Sequence, residues 1–466
     1  MGQDSLGSQK KQGSPWASRF LSDRLYEFTK PVLQGLSRSL DRRLVQTFFD
    51  LLMVILIQRH RSQGLWLSEL GGHLLGMDRA PAGTKRIAQL LHSSKWLAEL
   101  LETWLWEAGD QKVEDCLHQE DPYVIWDESE IEKPESLKSE GLCAVRSVKA
   151  RRLKRIKPGY FNPPAGRPVF VPGFHWFQVI VTGFKGTPCL AHFHWWTTRG
   201  EMASKLRIEE GVVLEHLAKR WGNQVIHVWD RGFAGMPWLF QALSVRVRFI
   251  VRWKKGNTLL DEHGERHKAS EISRKKRSVD HRLIYDCKRR CERQTGIVFF
   301  PVRLPDLPDQ PLWMVVSRPG PGRQPWFLLT NQRLQSASDA WRIVLGYNRR
   351  WQIETCFRLD KSELAIESIR LLDWQARQKL MLILAVVHAF LLSLLSPTLE
   401  YFRSWLFTTW CHRTGKRNRS AAIPLYRLRL AISALWLAFR PLSLPRACYE
   451  LLNLVNSGNG QKSLSQ

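Results

Sequence analysis

The sequence predicts an α/β protein with a mixed β-sheet, preceded and followed along the chain by helical regions. Between residues 122 and 251, strand-like apolar runs and segments of helical spacing follow the order β-β-β-α-β-α-β. Residues 40–110 and much of the chain after residue 335 have helical spacing instead. A hairpin set followed by β-α units is typical of a mixed sheet that is covered by helices.

Length and charge narrow the class of protein. The 466 residues are 44% hydrophobic, enough to bury a large core, and this length suggests two or three units around that core. Lys and Arg total 70 against 43 for Asp and Glu, so the formal net charge is +27. An excess of this size indicates an anionic partner, usually nucleic acid. The charge alone also fits ribosomal and membrane-surface proteins.

Cysteine usage and hydropathy predict a cytoplasmic protein. Of eight scattered Cys, only Cys287 and Cys291 are close together, and they lack the further ligands that a zinc site needs. Reduced thiols are therefore expected. Residues 1–40 are polar and basic and contain no secretory signal. The apolar runs Leu44–Gln58 and Leu380–Leu395 are shorter than a membrane span and are expected to be buried helices.

The N-terminal region, residues 1–115, is expected to be helical after a frayed start. Segment Leu67–Leu75 has helical spacing, Asp78–Thr84 contains Pro and Gly and is expected to be a turn, and Lys85–Trp96 resumes helical spacing. Such an arrangement is either a DNA-binding helix-turn-helix or an ordinary helical pair.

The middle of the chain is expected to hold the first part of the core, at residues 116–253. Its predicted strands and helices, in chain order, are Pro122–Trp126, Trp176–Thr182, Pro188–Trp196, helix Met202–Arg220, Gln224–Trp229, helix Ala234–Leu243 and Val245–Val251.

Residues 254–334 interrupt this rhythm and are expected to form a β-rich insertion. Strand-like pieces lie at Gly296–Phe300, Leu312–Val316 and Trp326–Leu329. Residues 335–396 are expected to complete the core with a long helix, Ala337–Leu364, and the apolar helix that follows it. Residues 397–466 form a basic C-terminal region.

Two acidic residues follow predicted strands. Asp127 closes the run Tyr123–Trp126, and Asp230 closes Val225–Trp229. A carboxylate at the end of a buried strand is where α/β folds place their active sites. Asp is also a common cap of a strand or of a following helix, which is the alternative interpretation of each residue taken alone.

A third acid lies on a helical face that carries other polar side chains. Tyr347, Arg350, Glu354 and Lys361 fall within roughly 60° of one another on a 3.6-residue helix. A solvated face with a routine Arg350–Glu354 pair would give the same pattern. Three carboxylates can instead hold two divalent ions, and Mg²⁺ prefers oxygen ligands. Arg350 and Lys361 would then face phosphate, with Tyr347 as a hydrogen-bond donor.

These residues resemble the transposases of the insertion-sequence-four family, which belong to the DDE class, and among them the hairpin-forming type of transposon five. The family signature is Tyr, two residues, Arg, three residues, Glu, six residues, Lys, and Tyr347, Arg350, Glu354 and Lys361 match every spacing. The family's second acid lies in an Asp-Arg-Gly-Phe motif, which here begins at Asp230. Asp127, followed by Ser129 and Lys133, resembles the surroundings of the first acid.

The resemblance implies an RNase H-like core with the β-rich insertion between the second Asp and the Glu. It implies a cut-and-paste DNA transposase that nicks DNA, forms a hairpin and transfers strands. Asp127, Asp230 and Glu354 would be the catalytic metal ligands for two Mg²⁺ ions, with Mn²⁺ as a substitute. The residues expected to contact DNA are Tyr347, Arg350, Lys361, Trp326, Arg231 and Lys133, and Trp326 would stack on a flipped-out base.

Further expectations from the resemblance concern partners. Residues 1–110 would recognise the terminal inverted repeats, and the element ends and target DNA would be the partners. Pairing of two ends implies a homodimer in the synaptic complex. Two alternatives stay open: a metal-dependent nuclease without strand transfer, and a non-catalytic DNA-binding protein derived from a transposase. Glu128 and Glu130 compete with Asp127 for the role of first acid.

Overall fold

The computed structural model describes residues 13–58, 64–151, 167–286, 291–413, 415, 421 and 423–441. The described chain begins with helices α1 (Ser14–Ser37), α2 (Arg42–Ile57), α3 (Leu67–Leu75), α4 (Ala80–His92) and α5 (Glu99–Leu117). The predicted helical N-terminal region is therefore confirmed. Pro81 and Gly83, expected in a turn, lie inside α4, because Pro is tolerated in the first turn of a helix.

The core elements follow in chain order. They are β1 (Tyr123–Glu132), β2 (Cys143–Arg146), β3 (Phe170–Thr182), β4 (Cys189–Trp196), α6 (Leu206–Trp221), β5 (Ile226–Trp229), α7 (Met236–Ser244) and β6 (Arg248–Arg252). The short strand β2 was not predicted. Strand β3 lies antiparallel to β1 and β4, whereas β5 lies parallel to β1 and β6. The predicted mixed, RNase H-like order of strands is confirmed.

The insertion contributes β7 (Thr258–Leu260), β8 (Arg266–Lys268), helix α8 (Ala269–Arg274), β9 (Asp280–Asp286), β10 (Cys291–Leu304), β11 (Leu307–Arg318) and β12 (Trp326–Thr330). It is not a separate sheet. Strand β12 pairs antiparallel with β6, so the described strands form one 12-stranded sheet along the path β2-β3-β1-β5-β6-β12-β11-β10-β7-β8. Strands β4 and β9 lie off this path and pair with β3 and β10. The insertion therefore extends the core sheet at its β6 edge.

The final described elements are α9 (Ala337–Asn348), α10 (Trp351–Arg358), α11 (Trp374–Ser393), α12 (Glu400–Trp410) and α13 (Leu425–Ala438). The prediction of one continuous helix over Ala337–Leu364 is wrong. Backbone bonds of the i→i−3 kind, such as Arg350 N to Tyr347 O at 3.0 Å, separate α9 from α10. A π-helical turn, Leu359–Glu363, then follows α10.

The two faces of the core sheet bury different side chains. Tyr123, Ile125 and Val228 join the cluster that packs against the helices of the N- and C-terminal regions. Trp126 and Trp229 point to the opposite face and pack there at 6.0 Å between ring centroids. Since side chains alternate along a strand, the register decides which face each polar residue meets.

Helix α11 is the central helix of the first cluster. It is long and apolar enough to cross a membrane by length and composition, and 89% of its most apolar window is buried inside the protein. Helix α2 is also largely buried, so both apolar runs are buried helices, as predicted. The guanidinium of Arg429 donates to the carbonyls of Ile55 and Gln58, so helix α13 caps the end of α2.

A buried polar network joins α11 to the sheet. His388 Nδ1 lies 3.0 Å from Asp360 Oδ1, and Gln178 Nε2 donates to Asp360 Oδ2 at 2.6 Å. Gln178 and His388 are fully buried and Asp360 is 2% exposed. Burial disfavours the imidazolium, but the Asp360 carboxylate outweighs it and raises the pKa of His388 to about 10. The network therefore fixes the π-helical turn between β3 and α11.

This pair predicts a pH-dependent stability. Because the pKa of His388 is raised from 6.5 to about 10, its stabilising contribution is complete below pH 6.5 and is lost as pH rises through 10. The Asp360→Asn/His388→Gln double variant lacks the pair. We expect its deficit in free energy of unfolding to shrink steadily across that window, as measured by urea denaturation. A deficit that is equal at pH 6 and pH 10 would contradict the assignment.

Candidate active site

Strand register brings the first two acids together. Strands β1 and β5 pair in parallel, with Tyr123 opposite Ile226 and Ile125 opposite Val228. Two residues further on, the same register sets Asp127 level with Asp230. Parallel neighbours about 4.8 Å apart place side chains of equal register on the same face. Both carboxylates therefore leave the sheet on the face of Ile125, where the C-terminal helices pack.

Asp127 does not end its strand, contrary to the prediction. Strand β1 continues to Glu132 and stays paired with β3, where Asp127 lies opposite Gln178. Its pairing with β5 stops at Ile125, because β5 ends at Trp229 and the chain turns away at Asp230. The acid therefore lies where β1 loses one neighbour, and the region between β1 and the chain that turns away at Asp230 is called the cleft below.

Buried aromatic rings pack on the opposite face of the sheet, behind Asp127 and Asp230. Trp126 and Trp229 directly precede the two acids, and both pack on Trp238 at 5.4 and 5.2 Å between centroids. Phe233 lies 5.6 Å from Trp126. Aromatic pairs of this kind add about 1 kcal/mol each beyond the area that they bury. The backbone that carries Asp127 and Asp230 is thereby made rigid.

Glu354 reaches the same cleft from α10, and Arg350 joins it to Asp127. Arg350 Nη1 donates to Asp127 Oδ2 at 3.0 Å, and Nη2 donates to Glu354 Oε1 at 2.6 Å. The side chain of Arg350 is only 10% exposed. The predicted i,i+4 pair is therefore present, but it is a bridge between two elements of the core and not a pair on a solvated face.

The cleft carries unbalanced negative charge. Burial, followed by repulsion from Asp230, raises the pKa of Asp127 to about 7, although Arg350 opposes the shift. Burial likewise raises the pKa of Glu210 on α6 to about 7, although Arg207 opposes the shift, and Glu128 and Asp127 add to it. Sequence reasoning missed Glu210, because an acid inside an amphipathic helix has no distinguishing pattern.

The donor set fits divalent metal ions. Asp127, Asp230 and Glu354 supply only carboxylate oxygens, the ligands that Mg²⁺ prefers. Arg350 donates to one oxygen of Asp127 and to one oxygen of Glu354. Each carboxylate therefore has a second oxygen that Arg350 does not bind and that could be a metal ligand. Burial and, after it, repulsion from Asp230 raise the pKa of Asp127, and a bound cation would favour its charged form.

A second acidic group lies elsewhere. Among the described residues, one group of three ligand side chains has all its ligand atoms within 4.8 Å of one another: Asp261, Glu265 and His267, around the β7–β8 hairpin. The ligand atoms of the three cleft acids do not all lie within that distance of one another. The hairpin group provides a natural comparison for metal-binding experiments.

The remaining residues of the Tyr-Arg-Glu-Lys signature surround the cleft. Tyr347 is 2% exposed, and burial raises its pKa. Its ring meets the half-buried Trp326 edge-on, at 5.3 Å between centroids. Burial lowers the pKa of Lys361, while Glu367 and Glu130 oppose the shift. Gly346 allows α9 to pack closely on Tyr123 of β1, since a Cβ at this position would lie 2.5 Å from the Tyr123 ring.

Two expected DNA contacts differ in accessibility. Arg231 is exposed directly after Asp230. Lys133 is 3% exposed, and its ammonium donates to the carbonyls of Glu367 and Ile369 at 2.7 Å each and pairs with Glu135 at 2.7 Å. Because an ammonium has three N–H groups, all of them are engaged within the protein. Lys133 therefore anchors the segment after Lys361 and leaves no donor for phosphate.

The bridge predicts a metal-dependent rescue. Arg350→Met removes the cation between Asp127 and Glu354, which we expect to lower the free energy of unfolding by about 2 kcal/mol in EDTA, less than for a fully buried pair. Saturating Mg²⁺ should restore part of this loss in the variant, because the ion replaces the missing positive charge. Differential scanning fluorimetry with and without Mg²⁺ measures it. Equal losses under both conditions would contradict the proposed metal position.

Part of the chain is similar to a known protein family. Residues 192–390, less than half of the chain, match the family described as Transposase DDE domain. That range includes Asp230 and the whole Tyr347–Lys361 signature, while Asp127 lies before it. No curated protein matches the chain.

One similar solved structure is the cryo-EM structure of a piggyBac transposase synaptic complex with hairpin DNA. The two chains are 12% identical with a TM-score of 0.39, over 89% of this chain and 76% of that one. The family match shows that residues 192–390 are similar to a transposase DDE domain.

Proposed function

We propose that this protein is a cut-and-paste transposase of the insertion-sequence-four type, which binds the ends of its element and cleaves and joins DNA in a metal-dependent reaction. The observation that carries the proposal is the cleft itself. Parallel strand register sets Asp127 level with Asp230, and Arg350 ties Glu354 to Asp127. Three carboxylates from three separated parts of the chain are thus brought to the region where β1 and β5 part.

Each residue of the cleft has a distinct part in this proposal. When bound, divalent ions supply activation of a water or 3′-hydroxyl and stabilisation of the leaving oxygen. Asp127, Asp230 and Glu354 hold those ions. Arg350 keeps two of the carboxylates apart and oriented. Exposed Arg231, beside Asp230, is placed to meet a phosphate that enters the cleft.

In the proposed hairpin step, Trp326 stacks on a base that has left the duplex. Its ring is half-buried, packs against Tyr347 and lies under the Arg252 guanidinium at 5.9 Å. A base that leaves the duplex loses stacking, and an aromatic face beside the cleft offsets this loss. The position of Trp326, next to a signature residue, favours strand transfer with a hairpin over simple hydrolysis.

The proposal also includes the partners of the protein and its location in the cell. The net charge of +27 fits double-stranded DNA, both the element ends and the target. The two helices α3 and α4 of the N-terminal region would recognise the terminal inverted repeats. A homodimer would pair the two ends, and the protein would act in the bacterial cytoplasm at the nucleoid. The six described Cys are free thiols, in keeping with a reducing compartment.

Cleavage of a supercoiled plasmid that carries the element's own ends tests the catalytic assignment. We expect excision in Mg²⁺, none in EDTA, and a loss of at least about a thousandfold in Glu354→Gln or Asp230→Asn, because each removes a ligand of the ions. Gel-shift binding to the ends should persist in these variants. The yield of excised product measures the effect.

The control for this experiment is Asp261→Asn, which disrupts the second acidic group at the β7–β8 hairpin. It should cleave like the unaltered protein. Excision that survives Glu354→Gln, or that disappears in Asp261→Asn, would show that the cleft acids are misassigned. End binding without cleavage under every condition would favour a non-catalytic DNA-binding protein.

Trp326→Ala separates the chemical steps. Since stacking contributes about 1–3 kcal/mol per base, we expect hairpin formation to slow by roughly tenfold or more while the first nick is unchanged. Denaturing gels resolve nicked and hairpin products. Trp313→Ala is a matched control, because Trp313 is also half-buried but lies on β11 opposite Thr330, at the far end of β12 from Trp326. An equal decrease in the rates of the first nick and of hairpin formation would contradict the assignment of Trp326 to base stacking.

A further inference from the structure

The loop after Asp230 has an unusual arrangement around one glycine. Asp230 Oδ1 accepts the N–H of Gly232 at 2.5 Å and thereby caps the short 3₁₀ turn Arg231–Phe233. A Cβ at Gly232 would lie 2.9 Å from that same oxygen. The turn therefore sits directly against the carboxylate, and any movement of Gly232 changes the direction in which Asp230 points.

The other side of Gly232 is held by a residue from α6. Arg207 Nη2 donates to the Gly232 carbonyl at 3.0 Å. The Arg207 guanidinium also lies over the rings of Phe233 and Trp238, at 5.5 and 5.8 Å from their centroids. One peptide unit on each side of Gly232 is thus engaged, its N–H by Asp230 and its carbonyl by Arg207.

Glu210 fixes the guanidinium in this position. Arg207 Nη1 donates to Glu210 Oε2 at 2.6 Å, and the Glu210 side chain is 4% exposed against 53% for Arg207. A buried carboxylate is costly unless it is paired, and Arg207 forms an ion pair with Glu210. The planar guanidinium can serve both acceptors at once because its N–H groups point in fixed directions.

We propose that Arg207 and Glu210 are positioning residues for Asp230: Glu210 orients Arg207, and Arg207 holds the Gly232 turn that aims the Asp230 carboxylate into the cleft. The proposal rests on the proposed function, because it gives Asp230 the role of a metal ligand. Outer partners that orient metal ligands commonly change metal affinity by about 10- to 100-fold when removed.

Arg207→Met and Glu210→Gln test the proposal through Mn²⁺ binding to the DNA-free protein, measured by isothermal titration calorimetry. We expect Arg207→Met to weaken Mn²⁺ binding by about tenfold or more. Arg207→Lys should be intermediate, since one ammonium cannot reproduce the fork. Hydrogen–deuterium exchange over residues 229–238 should be faster in Arg207→Met. End binding in gel shifts should not change.

Arg220→Met is the matched control. Arg220 lies on the same helix, pairs with Asp110 and stands over the Trp106 ring at 5.8 Å, but it does not touch the Gly232 turn. It should leave both Mn²⁺ affinity and exchange over residues 229–238 unchanged. Equal weakening in Arg220→Met and Arg207→Met would reveal a general loss of stability and overturn the positioning role.

Asp230→Asn distinguishes a failure of the positioning role of Arg207 from a failure of the metal assignment at Asp230. If Asp230→Asn weakens Mn²⁺ binding and Arg207→Met does not, the positioning role is wrong while the proposed function stands. If Asp230→Asn leaves Mn²⁺ binding unchanged, the ion is not held at Asp230. The metal assignment then fails, and the positioning proposal fails with it, whatever the exchange rates show.

Discussion

The parallel pairing of β1 with β5 is the constraint on which the rest of the site depends. Its register sets Asp127 level with Asp230 on one face and puts Trp126 and Trp229 on the other. The aromatic side is apolar and closely packed, so it resists displacement of either strand. Two carboxylates that repel each other are therefore held together by packing energy from the opposite face of the same strands.

The third carboxylate comes from a helix whose position is fixed by two polar contacts of different kinds. Arg350 attaches α10 to β1 inside the cleft, and the buried Asp360–His388–Gln178 network attaches the following π-helical turn to β3 and α11. Lys133 adds a third tie by holding the segment that follows. The helical terminal regions are therefore joined to the sheet at this point, because Arg429 pairs with Glu363 of the π-helical turn and also donates to the carbonyl of Ile55 at the end of α2.

Much of the core was predictable because its signals are local. Alternating and continuous apolar runs predicted β4, β5 and β6 within three residues and the second half of β3, and the helical N-terminal region followed from its spacing. The long helix over Ala337–Leu364 was wrong, because the breaks at Arg349–Arg350 and at the π-helical turn arise from tertiary contacts and contain neither Pro nor Gly. The place of the insertion at the β6 edge was equally hidden from local patterns.

The sequence by itself determined which chemistry is available. It supplied the spaced Tyr347, Arg350, Glu354 and Lys361, two acids after apolar runs, and a strongly basic composition. Only the tertiary structure decided how these groups are used. It made Arg350 a bridge, saturated Lys133 with internal acceptors, and brought Arg207 and Glu210 to the Asp230 turn. The spacing of residues in the sequence predicts which side chains are close on one helix or strand. The contacts described here join residues that are close only after the sheet has formed.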